Sequence, residues 1–538
     1  MKKLGKLLRN MLLVCGVLFI IVLLLPDDEE MPANQEQTGV ETASGIGTQT
    51  GTETASGAET LEGAEHAADA AENPFPEDMV KEKQTEIKGD GKDQATVFVY
   101  MNGSDLESED GEATEDLCEM LAVNISSQVN VLVETIGTKS WSKRLGIASD
   151  HTQRYKVEAG NLVLVDDSLG QLDCTSPDTL ADFISWGAEN YPANRYILIF
   201  WDHGAGPVYG FGYDEHQSED SVLTIDEIQT AIRQSGIYFD IVGMDSCIMS
   251  SLELCCAMYN YCDYMILSED FESGYGWSYT GWLNALSDNT SISSEELGKI
   301  IVDDMIADNE ENGEGASTLA LIDESYMKVL YTAWADFAYA NEPALLGENY
   351  SMHVRGGRRA HPILREKGLF DFLFDEDGDY SMSDYYITDI MAVAQNIESK
   401  ETEALAAAVN LSICYFNCTD DEVGMTGLSV TLPYGDSEFY GYLYPVFTGV
   451  GMDADYVGWL EKFVYAEGYN DYYDYESWYE DDWEGWDDYE DDWDWIDWLF
   501  FEDDDYWEDD SWDEWGSDQS WAGSGNGRSD CMRKQIAC

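Results

Sequence analysis

Four short apolar runs, separated by segments with helical spacing, constrain the fold of this chain more than any other feature. The runs begin at residues 95, 130, 196 and 239. The clearest helix between them starts after Ser176, a typical N-cap residue, with Pro177 in its first turn. Strands that alternate with helices form a mostly parallel sheet covered by helices on both faces. The sequence therefore predicts an α/β fold.

The two ends of the chain differ in composition from the region between them. Residues 1–25 combine a basic start with an apolar run and predict an export signal, either a signal anchor or a cleaved signal peptide. The remainder is then extracytoplasmic, membrane-anchored or secreted. Residues 26–94 are rich in Thr, Glu, Gly and Ala and predict a disordered linker. We expect the globular domain over 95–467 and a low-complexity acidic, aromatic tail over 468–538.

The formal charge of -81 limits the partners of this chain. Such a field repels nucleic acid and attracts cations and basic peptides, so no nucleic-acid partner is expected. For the tail, three interpretations stay open: a solubilising extension, a weak binder of calcium or basic peptides, and a brake on the chain's own cationic surface. Residues 355–367 are the one strongly basic patch, which could be a processing loop, a docking surface or a solvated loop. We expect a monomer.

Two residues with chemical potential follow the last two apolar runs. His203 follows the run that begins at 196, and Cys247 follows the run that begins at 239. Ligands of parallel sheets bind beyond the carboxyl ends of the strands. Cys247 precedes a segment with helical spacing, and a thiol in the first turn of a helix has a lowered pKa. Cys247 could then act as a nucleophile, with His203 as proton donor and the N–H groups of Gly204 and Cys247 as oxyanion donors.

These two residues and the remaining cysteines also allow other interpretations. His203 could instead cap a strand, and Cys247 could be a small buried hydrophobic residue. Cys255, Cys256 and Cys262 lack the spacing of a zinc site, so we predict no metal site there. Disulfides between Cys414 and Cys418, or between Cys531 and Cys538, stay open.

Both motifs resemble those of a known family. "YILIFWDHGAG" and, 44 positions from His203 to Cys247, "DIVGMDSCIMSSLE" are similar to the His and Cys motifs of the clostripain-like cysteine peptidases, relatives of caspases and gingipains. "VFVYMNGSDLESEDGEATEDLCEM", "LSEDFESGYGWSYTGWL" and "GLSVTLPYGDSEFYGYLYPVF" resemble other segments of that family, in the same order. The resemblance covers residues 95–467 and implies a caspase-like fold.

The resemblance also implies an activity: an endopeptidase that cleaves protein or peptide substrates after Arg or Lys. Cys247 would be the nucleophile, His203 the general acid, and Asp245 a carboxylate in the pocket for the cationic side chain. Glu269, Asp270 and Glu272 are weaker candidates for a second pocket carboxylate and could equally form a solvated acidic loop. The chemistry requires no cofactor, and a calcium requirement stays open.

A rival hypothesis comes from a different class of function. The chain could be a surface binding protein built on an inactive peptidase fold, with the acidic aromatic tail as its binding element. A decayed peptidase is free to lose its site residues, yet His203, Gly204, Asp245 and Cys247 are all present. The sequence therefore favours the peptidase.

Overall fold

The computed structural model describes seven stretches of the chain: residues 76–217, 221–312, 317–347, 386–394, 397–419, 425–435 and 437–466. The predicted signal-anchor segment 1–25, the basic patch 355–367, the tail 468–538 and the Cys531–Cys538 pair lie outside them. Within these stretches, no helix combines the length and apolarity needed to cross a membrane.

The strands of the described stretches form one large sheet and one small one. In chain order they are β1 (Ala95–Asn102), β2 (Val129–Ile136), β3 (Gln153–Glu158), β4 (Asn161–Asp166), β5 (Arg195–Trp201), β6 (Phe239–Asp245), β7 (Cys262–Leu267), β8 (Thr318–Asp323), β9 (Ile387–Asp389), β10 (Ile413–Cys418) and β11 (Ser429–Thr431). The large sheet has the order β10-β8-β7-β6-β5-β1-β2-β3-β4, and β11 pairs with β9.

The centre of the large sheet is parallel. Strands β2, β1, β5, β6 and β7 run in the same direction, while the β3–β4 hairpin and strands β8 and β10 add antiparallel edges. This confirms the predicted α/β fold. The apolar run at residue 196 is the central strand β5, which explains its continuous hydrophobicity, because helices cover both faces of such a strand.

Thirteen α-helices accompany these strands in the described stretches. They are α1 (Glu112–Ala122), α2 (Pro177–Asn190), α3 (Gly206–Tyr209), α4 (Ile225–Ser235), α5 (Leu252–Met258), α6 (Tyr279–Asp288), α7 (Ser294–Asn312), α8 (Met327–Ala340), α9 (Glu342–Leu345), α10 (Ile390–Ala394), α11 (Lys400–Ser412), α12 (Ser437–Val450) and α13 (Ala454–Val464). Helices α1, α6 and α7 pack on one face of the sheet, and α2, α4, α5 and α8 on the other. Alternate side chains of β5 enter these two cores. Leu198 and Phe200 pack with α2, α4, α5 and α8, whereas Ile197 and Ile199 pack with α1, α6 and α7.

The order of connections places a crevice at the middle of the sheet. From β1 the chain moves to β2 on one side, and it later returns to β5 on the other side of β1. Ligand sites of open parallel sheets lie where the connections diverge in this way, at the carboxyl ends of the strands. The ends of β1, β5 and β6 are therefore where a functional site is expected.

Two features at the margins of the domain bear on the sequence analysis. Residues 76–94 fall within the predicted linker, but they contact the domain. The N–H groups of Gln84 and Thr85 donate hydrogen bonds to the Asp263 carboxylate at 2.9 and 2.8 Å. These contacts are polar, so no apolar pattern announces them. Cys414 and Cys418 form no disulfide. Both lie on β10, and four residues of a strand span about 13 Å, beyond the reach of a disulfide.

Candidate active site

His203 and Cys247 follow two adjacent strands at matching positions. Trp201 of β5 pairs in register with Asp245 of β6, and the two candidates lie two residues beyond this pair. Neighbouring strands are about 4.8 Å apart. The main chains remain in contact past the strands, because Asp202 N donates to Asp245 O at 3.5 Å. The structure thus brings an imidazole and a thiol to one end of the sheet.

Both side chains line one cleft of about 400 Å³. Its walls come from the ends of β5 and β6, from the residues that follow β1, and from the segment after β7. The lining residues are Leu106, Glu112, Trp201, Asp202, His203, Asp245, Ser246, Cys247, Glu272, Ser273, Gly274 and Gly276.

The imidazole of His203 is held by an acidic partner that sequence reasoning missed. Its Nε2 lies 2.7 Å from Asp105 Oδ1, and its backbone N–H donates to Asp202 Oδ1 at 2.8 Å. Burial alone lowers the pKa of His203, but the hydrogen bond that its ring donates to Asp105 and the charges of Asp202 and Asp105 raise the pKa above its usual value. The site therefore favours the imidazolium, which can donate a proton.

Cys247 lies in a tight loop, not in a helix. Helix α5 begins at Leu252, with Ser251 as its N-cap, so the prediction that Cys247 occupies a first helical turn was wrong. The spacing of "IMSSLELCCAM" is helical only in its second half. The loop is bent by Ile248, whose φ of 51° is unusual for a β-branched residue and marks a strained backbone, a common feature of functional sites.

The sulfur of Cys247 is largely buried and faces a backbone donor. Glu272 N donates to Sγ at 3.2 Å. An N–H that points at sulfur stabilises a thiolate more than a neutral thiol. Around the residue lie apolar side chains of Ala205, Ile248 and Ile387, the last from strand β9. The far C-terminal part of the domain thus closes one side of the nucleophile.

Gly204 allows the His and Cys loops to meet. A Cβ at this position would lie 2.0 Å from Cys247 O and 2.9 Å from Met249 Cγ, which only glycine avoids. Its pairing with Phe211 uses His203 O and Ala205 N, not its own N–H. That pairing therefore leaves the Gly204 N–H for the oxyanion role that the sequence predicts.

We expect Gly204→Ala to damage both stability and activity. The added methyl group clashes with backbone rather than with a movable side chain, so the Cys247 loop must shift, at a cost of about 1–3 kcal/mol. Peptide hydrolysis should fall by more than about a hundredfold, since small displacements of reacting groups cost that much. Thermal unfolding and reporter-peptide assays measure the two effects. Gly458→Ala, in open space on α13, is the matched control; if it lowers activity as much, the clash is not the cause.

The floor of the cleft is a cluster of buried carboxyls. Asp245 accepts hydrogen bonds from Trp277 N at 3.1 Å and from the Tyr279 hydroxyl at 2.7 Å. Glu272 accepts one from Trp277 Nε1 at 3.3 Å. Asp116 of α1 completes the cluster, with Oδ2 2.6 Å from Trp201 Nε1.

Burial and mutual repulsion raise the pKa values of these carboxyls. Burial raises the pKa of Asp245 to about 7. Burial and then the charge of Asp245 raise the pKa of Glu272 and of Asp116 well above the usual range. No Lys or Arg among the described residues forms an ion pair with any of the three. Such a cluster is suited to bind a cation supplied from outside.

Space beside Gly276 connects this cluster to the cleft. A Cβ at Gly276 would lie 2.9 Å from Asp245 Oδ1 and 3.5 Å from Asp116 Oδ2, and the residue has a φ of 58°. The two carboxyls therefore converge on one region that a larger side chain would fill. Asp116 was missed because its helix was interpreted from its apolar positions alone, although an acid on the buried face of a helix is itself a signal.

Glu269 and Asp270 lie away from the cleft lining. Glu269 accepts hydrogen bonds from Gly427 N at 2.8 Å and Ser429 Oγ at 2.9 Å, and thereby fastens β11. Asp270 uses its carbonyl to accept from Ile248 N at 2.9 Å, which supports the Cys247 loop. Of the three acids suggested after β7, only Glu272 lines the cleft.

No described group of three or more His, Cys, Asp or Glu residues is arranged to hold a metal ion. Cys255 and Cys262 are fully buried in the core on one face of the sheet. Burial raises the pKa of both thiols well above the usual range, so both are neutral at physiological pH.

Comparisons with known proteins identify the family of this chain. The model of the clostripain family matches residues 99–499, which extends past the predicted domain end at 467. Clostripain of Hathewaya histolytica is 23% identical over 420 residues, which are 65% of this chain and 77% of that protein.

Two solved structures of cysteine proteases are similar to this chain. A secreted C11 cysteine protease of Bacteroides thetaiotaomicron, in complex with an irreversible peptide inhibitor, is 18% identical with a TM-score of 0.49 and covers 67% of this chain and 100% of that one. An inactive zymogen C11 protease of Parabacteroides distasonis is 16% identical with a TM-score of 0.48, and the match covers 67% of this chain and 99% of that one. The family match over most of the chain decides its assignment: this chain belongs to the clostripain family of cysteine peptidases.

Proposed function

We propose that this chain is an extracytoplasmic endopeptidase that cleaves after Arg or Lys, with Cys247 as nucleophile and His203 as general acid. The carboxyl cluster of Asp245, Glu272 and Asp116 beside the sulfur carries the proposal. A guanidinium or ammonium group in that pocket is paired, whereas a neutral side chain leaves buried acids without a partner. Sites built in this way discriminate strongly.

The cleavage steps follow from the positions of the groups. The Cys247 thiolate attacks the scissile carbonyl carbon, and the electron pair of the C=O bond moves to oxygen. The N–H groups of Gly204 and Cys247 bind this oxyanion. Collapse breaks the C–N bond while His203 protonates the leaving amine. Water, deprotonated by His203, then hydrolyses the thioester and restores the thiolate.

The location is proposed from the first residues of the chain. The basic start and apolar run of residues 1–25 direct export, and the chain is then held at the membrane by this segment or released by cleavage. A monomer is sufficient, because every group of the mechanism comes from one chain. Calcium stays a candidate requirement, and it belongs in the assay as a variable.

A reporter panel tests the proposed function. The ectodomain, residues 26–538, is assayed with peptides that differ only at the residue before the scissile bond: arginine, lysine, citrulline or norleucine, with and without calcium. We expect cleavage after arginine and lysine and at least about a hundredfold less after the neutral pair. Equal cleavage of all four would contradict the pocket assignment, and no cleavage under any condition would favour the rival binding protein.

A further inference from the structure

Two acids lie near His203, and they contact different parts of it. Asp202, its neighbour in sequence, accepts from the His203 backbone N–H. Asp105, 98 residues earlier in the chain, contacts the imidazole Nε2 at 2.7 Å. The side chain of Asp105 is 15% exposed and that of His203 3%, so solvent screens this pair little. The ring is therefore oriented by the loop after β1, not by the residue beside it.

The loop after β1 is built to hold Asp105 in place. Ser104 adopts a φ of 40°, a left-handed conformation that is costly for a non-glycine residue. Its hydroxyl donates to Asp202 Oδ1 at 2.6 Å, which ties this loop to the end of β5. Strain of this kind persists only where the surrounding contacts maintain it.

Tyr213 holds the same pair from the other side. Its ring stacks on the imidazole of His203, with centroids 6.0 Å apart and an angle of 15° between the planes. Its hydroxyl also donates to Asp105. Acid, imidazole and phenol thus form one packed unit, and a shift of Asp105 would disturb all three.

We propose that Asp105 is a positioning residue for peptide cleavage: by binding Nε2 it fixes the imidazole so that Nδ1 exchanges the proton in the cleft. The inference rests on the proposed function of His203. The proton on Nε2 stays between the ring and Asp105 throughout, while the proton on Nδ1 passes to the leaving amine. The carboxylate also stabilises the imidazolium that must exist before this transfer.

The charge of Asp105 makes the inference testable through pH. The hydrogen bond and charge of Asp105 are among the causes that raise the pKa of His203 against burial. Asp105→Asn keeps the size of the side chain and removes the charge, so the pKa of His203 falls. Activity that needs the imidazolium is then lost at a lower pH on the alkaline side.

Steady-state kinetics across pH provide the first measurement. We expect Asp105→Asn to lower kcat for an arginyl reporter by about a hundredfold, with KM changed little and the alkaline limb moved to lower pH. Asp105→Glu, which keeps the charge, should recover part of kcat and should move the alkaline limb part of the way back to its position in the parent. Asp110→Asn, an exposed change on the short helical turn after Asp105, is the control and should match the parent. An unmoved alkaline limb, or a loss in KM alone, would overturn the proposal.

Alkylation of Cys247 by iodoacetamide gives a second readout that requires no substrate. The rate follows the thiolate, whose pairing with the imidazolium ends when His203 loses its proton. Its pH profile should shift in Asp105→Asn even if the reporter panel finds no Arg or Lys preference, which separates this inference from the proposed function. If Asp105→Asn does not fold, Asp105→Glu, which keeps the charge but displaces the carboxylate, should give a smaller shift in the same direction. No shift in either variant would refute the role of Asp105.

Discussion

Cys247→Ala should abolish peptide hydrolysis, with kcat reduced by about 10⁵–10⁶-fold, the loss that follows removal of a covalent nucleophile. The reason is specific to this sulfur. It follows β6, receives a hydrogen bond from Glu272 N, and lines the same cleft as His203, Asp245 and Glu272. The measurement is hydrolysis of an arginyl reporter by the purified ectodomain.

The same variant must remain folded for this result to carry weight. Alanine at 247 removes one sulfur from a loop that backbone hydrogen bonds hold, since Ile248 N donates to Asp270 O and Ser250 N to Ser268 O. We therefore expect an unchanged thermal unfolding midpoint within a few degrees. Cys256→Ala, a thiol on α5, is the matched control and should keep full activity. Substantial activity in Cys247→Ala would place the nucleophile elsewhere.

Much of the fold and the two central residues of the site could be predicted from the sequence. The four apolar runs became β1, β2, β5 and β6, because buried parallel strands must be continuously apolar. His203 and Cys247 could be predicted because polar residues directly after such strands meet at one edge of the sheet. The apolar pattern of a strand and the position of a polar residue directly after it are local properties, so both can be read from the sequence alone.

The residues that were missed or misplaced depend on contacts between distant segments. Asp105 reaches His203 across 98 positions, and Asp116 reaches the cleft floor from a helix. Glu269 and Glu272 are three residues apart, yet one fastens β11 and the other lines the cleft. Spacing alone cannot separate two acids in one loop, since their roles are set by which way the loop turns after β7.

Asp245→Asn should make the protein a poorer enzyme and a more stable one. Cleavage after arginine should fall by about a hundredfold to a thousandfold in kcat/KM, because the guanidinium loses a buried charged partner. Cleavage of the citrulline reporter should change much less, since citrulline presents no charge to the pocket. Asp178→Asn, an exposed change in the first turn of α2, is the control for the lost negative charge and should alter neither rate.

The gain in stability has a defined sign and pH range. Burial holds the pKa of Asp245 at about 7, against about 3.9 in an unfolded chain. The native carboxyl therefore keeps a proton that the unfolded state releases, so the free energy of unfolding of the parent falls as pH rises from about 4 to about 7. The amide of the Asp245→Asn variant does not ionise. Its lack of charge also removes the repulsion that Glu272 and Asp116 meet when they ionise, since the Asp245 charge helps to raise their pKa values. Urea unfolding at pH 5 and pH 8 should show a difference between variant and parent that grows with pH.

A peptidase that recognises cations with buried acids must be destabilised by its own empty pocket. In the proposed pocket the three carboxyls keep protons in the free enzyme, because burial and each other's charge raise their pKa values, and a guanidinium that enters would favour their ionised forms. Stability lost in the free enzyme would then reappear as the proposed selectivity for a charged substrate. If Asp245→Asn were both inactive toward arginine and less stable than the parent at pH 8, this carboxyl would be a structural element rather than a binding one, and the selectivity would have to originate outside the cleft floor.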